Sequence, residues 1–123
     1  MAFLNSDWET STSGKGFIIL NAKNQIKDTI IGTIATILSK SSIYEEGTTI
    51  ITMAYFDDKI KISARNVGNQ GKNVREILAS AIDQIGGEVG GHEFAAGALI
   101  SQDKEKEFLE ILRKNLEIEM VKV

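Results

Sequence analysis

The residues able to do chemistry fall in two short stretches. Gly90-Gly91-His92 carries the chain's only histidine and lies inside Gly86–Gly97, which holds five of the eleven glycines. Glycine costs backbone entropy on folding, so such a cluster points to positive φ angles or to a close approach by something else. Main-chain N–H groups in a stretch of this kind can converge on an anion. An imidazole titrates near ~6.5, so an adjacent phosphate favours its protonated, donating form. The second stretch is Lys59 to Arg65, where Lys61, Ser63 and Arg65 alternate with Ile60, Ile62 and Ala64. On a strand, that alternation puts two cations and a hydroxyl on one face. Arginine supplies a planar fork suited to phosphate. The plainer readings are a solvated strand face and a surface or hydrogen-bonded structural histidine. Gly90-Gly91 beside His92 tilts the balance toward an anion site.

Other chemistries fit less well. No Ser/His/Asp set stands in a supporting context, and one histidine leaves no histidine-rich metal cluster. Asp57-Asp58 reads as a turn, because Asp tolerates left-handed backbone angles. The glycines follow a helical pattern instead of linking a strand to a helix, unlike a dinucleotide fingerprint, and no Gly-Lys-Ser/Thr of a P-loop occurs. Gly87-Glu88-Val89-Gly90 matches the GXXG of a KH RNA-binding loop but lacks accompanying basic residues. A net charge of −3 argues against a strongly basic clamp, though a basic stripe on one face is compatible with it. With no cysteine there is neither a disulfide nor a thiolate site. No signal peptide or membrane span is apparent, which sets the expected location as the cytoplasm with no membrane partner. No cofactor is expected.

At 123 residues and 42% hydrophobic composition, a single domain with a proper core is expected. Residues 1–15 are polar except for Phe3, Leu4 and Trp8. They read as a flexible arm or linker, or as a peptide that docks those three side chains. The domain proper is assigned to 16–123. Phe17-Ile18-Ile19-Leu20 reads as a buried strand. From Asp28, a plausible N-cap, Ile30, Ile31, Ile34, Ile37 and Leu38 mark a helix that closes at Ser39 to Ser42. Thr48 to Phe56 reads as a central strand, followed by the strand Lys59 to Arg65. Asn73 with Glu76 forms a capping box ahead of an apolar stripe from Val74 to Ile85, and Gly86 ends that helix. Ala95 to Ile100 reads as a small-residue strand, Asp103 to Lys114 as a third helix, and Leu116 to Val123 as a last strand, from the alternation of Ile118 and Met120 with Glu117 and Glu119. The fold class is therefore α/β: one domain, with a mixed sheet of about five strands covered by three helices.

Lys61-Ile62-Ser63-Ala64-Arg65, Asn73-Val74-Arg75, Gly90-Gly91-His92 and Ala95-Ala96-Gly97, in that order and spacing, resemble the C-terminal DHH-associated domain of the DHH phosphoesterase superfamily, with RecJ-like nucleases as the nearest group. The resemblance runs from about Phe17 to the C-terminus. Val89 stands where the family has a further glycine, and Glu93 where it has a proline. The first restricts the backbone; the second sets a negative charge beside the anion position.

The resemblance implies that Arg65 and Ser63 contact a phosphate, that Gly90 and Gly91 approach it through backbone, and that His92 donates to it, with Lys61 extending the positive line. It places the catalytic metals in a separate Asp-His-His domain whose motifs this sequence lacks, so no catalytic or metal-binding residue is assigned. Stand-alone domains of this kind resemble archaeal RecJ-like proteins associated with the GINS complex and, through it, the CMG replicative helicase. The expectation is a non-catalytic module of DNA replication that binds single-stranded DNA weakly, with GINS as partner and self-association left open. The alternative is the substrate-binding half of a split or truncated DHH-family exonuclease acting on single-stranded DNA or short oligonucleotides. Small-nucleotide sensing through the same loop is a third reading.

Overall fold

In the computed structural model, residues 11–14, 16–68 and 70–121 are described. Phe3, Leu4 and Trp8 lie outside them. The chain runs β1 (Ser11–Gly14), β2 (Phe17–Asn21), α1 (Asp28–Lys40), β3 (Thr49–Phe56), β4 (Lys59–Asn66), α2 (Val74–Ile85), β5 (Glu88–His92), β6 (Ala95–Ser101), a 3-10 turn (Gln102–Lys104) and α3 (Glu105–Val121). The strands form one mixed sheet in the order β1-β2-β3-β4-β6-β5. Only β2 and β3 run parallel, with α1 as their crossover. The α/β class and, among the described residues, the three helices are as the sequence indicates.

The strand pleat decides which helix packs where. Ile51, Met53, Ile60, Ile62 and Ile100 share one face with Leu78 and Ala81 of α2 and Phe108, Leu112 and Leu116 of α3. On the opposite face, Ile18, Leu20 and Ile50 pack with Ile34 and Leu38 of α1. Ile31 seals the start of α1 against Ala22 and Ala54. Thr52 turns its hydroxyl to the Ile31 carbonyl at 3.1 Å, so this buried polar strand residue is satisfied by the helix above it.

Several elements differ from expectation. Leu116 to Val121 continues α3 and is not a strand. Phe108, Leu112 and Leu116 recur every four residues, and all three are fully buried. That stripe outweighs a brief period-2 pattern, and no Gly or Pro interrupts it. Two strands arise where none is expected: β1, inside the segment read as an arm, and β5, inside the glycine stretch. Both sequences have poor strand propensity and are held by pairing with one neighbour at the sheet edge. Asp28 is the first helical residue and not the cap; Lys27 occupies that position without a side-chain hydrogen bond. The N-cap of α2 is as read, with Asn73 Oδ1 accepting from Glu76 N at 3.1 Å, which is one half of a capping box. Gly86 closes that helix at φ 86°, and Asp57 supplies the left-handed turn between β3 and β4 at φ 52°.

Candidate phosphate-binding face

Strand register assembles the residues singled out above. Arg65 pairs with Ala95, and Ala95 with His92. One step along, Ser63 pairs with Gly97, and Gly97 with Gly90. A further step sets Lys61 across from Leu99, and Leu99 across from Glu88. All three rows lie on the face that carries α1. Strands are spaced ~4.8 Å apart, so β4 and β5 side chains in a row start about 10 Å from each other, a gap an arginine and an imidazole can close on one phosphate.

α1 covers β3 and reaches β4. A Cβ built on Gly32 would lie 3.7 Å from Ser63 Oγ, and Ser63 is only 6% exposed. Its hydroxyl therefore sits at the seam between α1 and the sheet, and no other described side chain hydrogen-bonds to it. Lys61 is exposed and Arg65 half-buried. Arg65 Nη1 donates to the Ala64 carbonyl at 3.1 Å, which leaves most of the guanidinium donors for other partners. Beyond Ser63, no described helix lies above the floor made by β6 and β5, and His92, Gly90 and Glu88 are exposed.

The two central glycines have different jobs. Gly91 has φ 109°, and an added Cβ would strike the Ala95 carbonyl and Ala96 Cα, so β-strand pairing itself requires glycine there. Gly90 is outside the left-handed region, and a Cβ there would meet nothing within 4 Å. Only Gly90 leaves open space on the exposed face. His92 Nδ1 accepts from Phe94 N at 3.4 Å. In the neutral ring this puts the proton on Nε2, which is then the donor available to a ligand.

The β5–β6 turn is held from below. Val74 N, at the start of α2, donates to the Glu93 carbonyl at 2.8 Å, and Asn66 N donates to the Phe94 carbonyl at 3.2 Å. The Asn66 side chain accepts from Thr49 Oγ1 at 3.0 Å and donates to the Lys72 carbonyl. Asn66 and Thr49, both buried, position the His92 turn and were not singled out in the sequence. The available signal was Asn66 directly after Arg65 at the strand end. Among the described residues, no three His, Asp or Glu side chains gather closely enough to hold a metal ion. No described helix is long and apolar enough to cross a membrane.

Among the described residues, the geometry is that of a layered α/β domain in which no helix covers the β6–β5 part of one sheet face. The DHHA1 domain family matches residues 14–117, and the chain belongs to that family. An uncharacterized protein of Methanocaldococcus jannaschii is 37% identical over 86 residues, covering 68% of this chain and 18% of that protein. The chain thus spans less than a fifth of that relative. Among solved structures, the C-Ala domain of Aquifex aeolicus alanyl-tRNA synthetase superposes with a TM-score of 0.66 at 16% identity, covering 86% of this chain and 96% of that one. The DHH domain of a protein placed in a family of ribosomal proteins gives 0.56 at 21% identity, over 86% and 27% of the two chains. A pGpG-specific phosphodiesterase from Vibrio cholerae gives 0.55 at 14% identity, over 87% and 35%. At these identities the likeness is one of fold.

Proposed function

We propose that this chain is a non-catalytic binding module that holds the phosphate backbone of single-stranded nucleic acid on the open half of its sheet. The observation that carries the proposal is the register: Arg65, Ala95 and His92 form one row, and Ser63, Gly97 and Gly90 the next. Residues far apart in sequence meet on a face that α1 covers only as far as Ser63. Arg65 supplies charge-assisted donors, His92 Nε2 a second donor, and Gly90 an approach free of side chain. Ser63 adds a hydroxyl at the seam, and Lys61 a solvated cation further along.

Anisotropy of labelled single-stranded oligonucleotides tests the proposal. A hydrogen bond to a charged group contributes ~1.5–3 kcal/mol. Arg65→Ala is therefore expected to weaken binding by roughly 10- to 100-fold, with an unchanged denaturation midpoint and a shallower salt dependence. Equal affinity of variant and wild type would refute it.

A second reading is favoured by length, since the chain covers 18% of its M. jannaschii relative. In that reading the module is the substrate-holding part of a DHH-family phosphoesterase whose metal domain lies on other sequence. Manganese-dependent exonuclease activity on adding such a domain would support it. The finer role, a replication-complex partner of GINS, rests on the sequence resemblance alone, and co-purification of GINS from native extract is its test.

A further inference from the structure

Next to the Arg65–His92 row is a cleft of about 510 Å³, within the size range of small-molecule sites. Its floor includes Gly97 and Gly90, which pair directly across β6 and β5. Neither glycine is in the left-handed region, so backbone geometry does not demand them. A Cβ on Gly90 would project into empty space, and one on Gly97 would come no closer than 3.4 Å to its nearest neighbour, the Ile62 carbonyl. Side chains would fit at both positions, and each would consume the cleft. The floor is therefore flat and open, a surface on which a planar ring can lie.

The walls are of mixed chemistry. Phe56, on the same sheet face at the end of β3, lines the cleft and stays 46% exposed despite its size. Asp28, from the first turn of α1, and Glu88, from β5, bring two carboxylates to the cleft, which Lys61 also lines in the same row as Glu88. Carboxylates repel phosphate, so Asp28 and Glu88 offset the Lys61 cation and make this end less favourable to the backbone than the Arg65–His92 row. They accept readily from exocyclic amino groups of bases. The glycine row lies two strand residues beyond Arg65, about 7 Å away, within the reach of one sugar from a phosphate to its base.

We infer that this cleft receives a nucleobase carrying an exocyclic amino group. The ring lies over Gly90 and Gly97 against Phe56, with Asp28 and Glu88 accepting from its amino edge. The inference rests on the phosphate-binding reading above and adds base recognition to it. Stacking on an aromatic side chain is worth a fold-change of roughly 5 to 100 per base.

The experiment compares three labelled oligonucleotides of equal length and phosphate number: oligo-dA, oligo-dT and an abasic strand. Wild type is expected to bind oligo-dA about tenfold or more above the abasic strand, with oligo-dT between, since thymine lacks an exocyclic amino group. Gly90→Leu, which fills the cleft, removes the preference of that variant for oligo-dA over the abasic strand, whatever it costs the phosphate contact. Phe56→Ala, at an exposed position, loses about fivefold on oligo-dA alone. Asp28→Asn narrows the gap between oligo-dA and oligo-dT. Thermal denaturation of each variant checks that the fold is retained. Equal wild-type affinity for oligo-dA and the abasic strand overturns the base cleft and leaves the phosphate face standing. Equal weakening of both strands by Gly90→Leu and by Phe56→Ala also overturns it. Failure of all three strands to bind overturns both proposals.

Discussion

Gly90 and Gly91 are neighbours with opposite structural demands, and their alanine variants should separate cleanly. At Gly91 the backbone sits at φ 109°, a region essentially reserved for glycine. The added methyl also meets the Ala95 carbonyl and Ala96 Cα, which are backbone atoms of a paired strand and cannot swing aside. Strain of ~1–3 kcal/mol from the dihedral, with a further backbone shift, places Gly91→Ala at about 2–4 kcal/mol of destabilisation. At Gly90 nothing lies within 4 Å of the new methyl, and φ is not positive. There, alanine restricts the unfolded chain and is expected to change stability by about 0 to +1 kcal/mol. With a urea m-value of ~1–3 kcal/mol/M, Gly91→Ala shifts the midpoint down by roughly 1–2 M, while Gly90→Ala holds or raises it. If both variants lost stability equally, or Gly91→Ala lost none, the assignment of Gly91 to strand geometry and Gly90 to the open face would be wrong.

Further outcomes follow from the packing. Asn66→Ala removes a side chain that is 4% exposed and strands Thr49 Oγ1 and the Lys72 carbonyl, so it should cost about 2–3 kcal/mol in urea unfolding and shift the His92 ring resonances by loosening the 93–94 turn. Leu116→Ala, in a fully buried position on α3, should cost about 2–4 kcal/mol; a loss below ~1 kcal/mol would argue against a continuous helix there. Burial, followed by the hydrogen bond to Glu105 and its negative charge, pushes the Tyr55 phenol up to about 12. The folded state thus favours the neutral phenol. Its contribution is complete below pH ~10 and is lost as pH rises through about 12. Two full units correspond to about 2.7 kcal/mol, and partial exposure reduces this to roughly 1 kcal/mol. Midpoints for wild type and Tyr55→Phe measured from pH 8 to 12 should therefore converge at the alkaline end.

How much was legible in the sequence depended on where each residue's partner lay. The apolar stripes of α1 and α2 and the runs in β2, β3 and β4 carry their own periodicity, and local pattern sufficed to find them. The edge strands carry none. Ser11–Gly14 and Glu88–His92 are strands only because β2 and β6 offer unpaired backbone, which is a tertiary fact. The C-terminal difference has the same origin: the stripe of Phe108, Leu112 and Leu116 faces a sheet that the sequence alone does not show. Of the site, Arg65, Ser63, Lys61 and His92 were visible as chemistry, and register supplied their adjacency. In sequence, Asp28 reads as a cap, Phe56 as a strand end and Glu88 as part of the glycine stretch. Only the fold brings them to one cleft.

Val89 shows how the pleat of β5 divides the anchored side of the edge strand from its exposed side. Set against the family pattern, a valine in place of a glycine looks like damage to an anion loop. In the structure, residue 89 is on a strand, opposite Ala98, and packs half-buried against the core beneath α2 and α3. Glu88, Gly90 and His92 point to the other side. The extra side chain therefore adds apolar contact where an edge strand with two glycines needs it, and it leaves the open face untouched. Glu93 differs in kind. It sits in the exposed turn with its carbonyl held by Val74 N, and its charge is next to His92 in sequence. Of the two departures from the family pattern, Glu93 is the one able to alter anion affinity. Glu93→Gln is accordingly expected to strengthen oligonucleotide binding at low salt by a few-fold, an advantage that screening removes at high salt. Val89→Gly should leave affinity alone and lower stability. The opposite pattern would place Val89, and not Gly90, on the binding face.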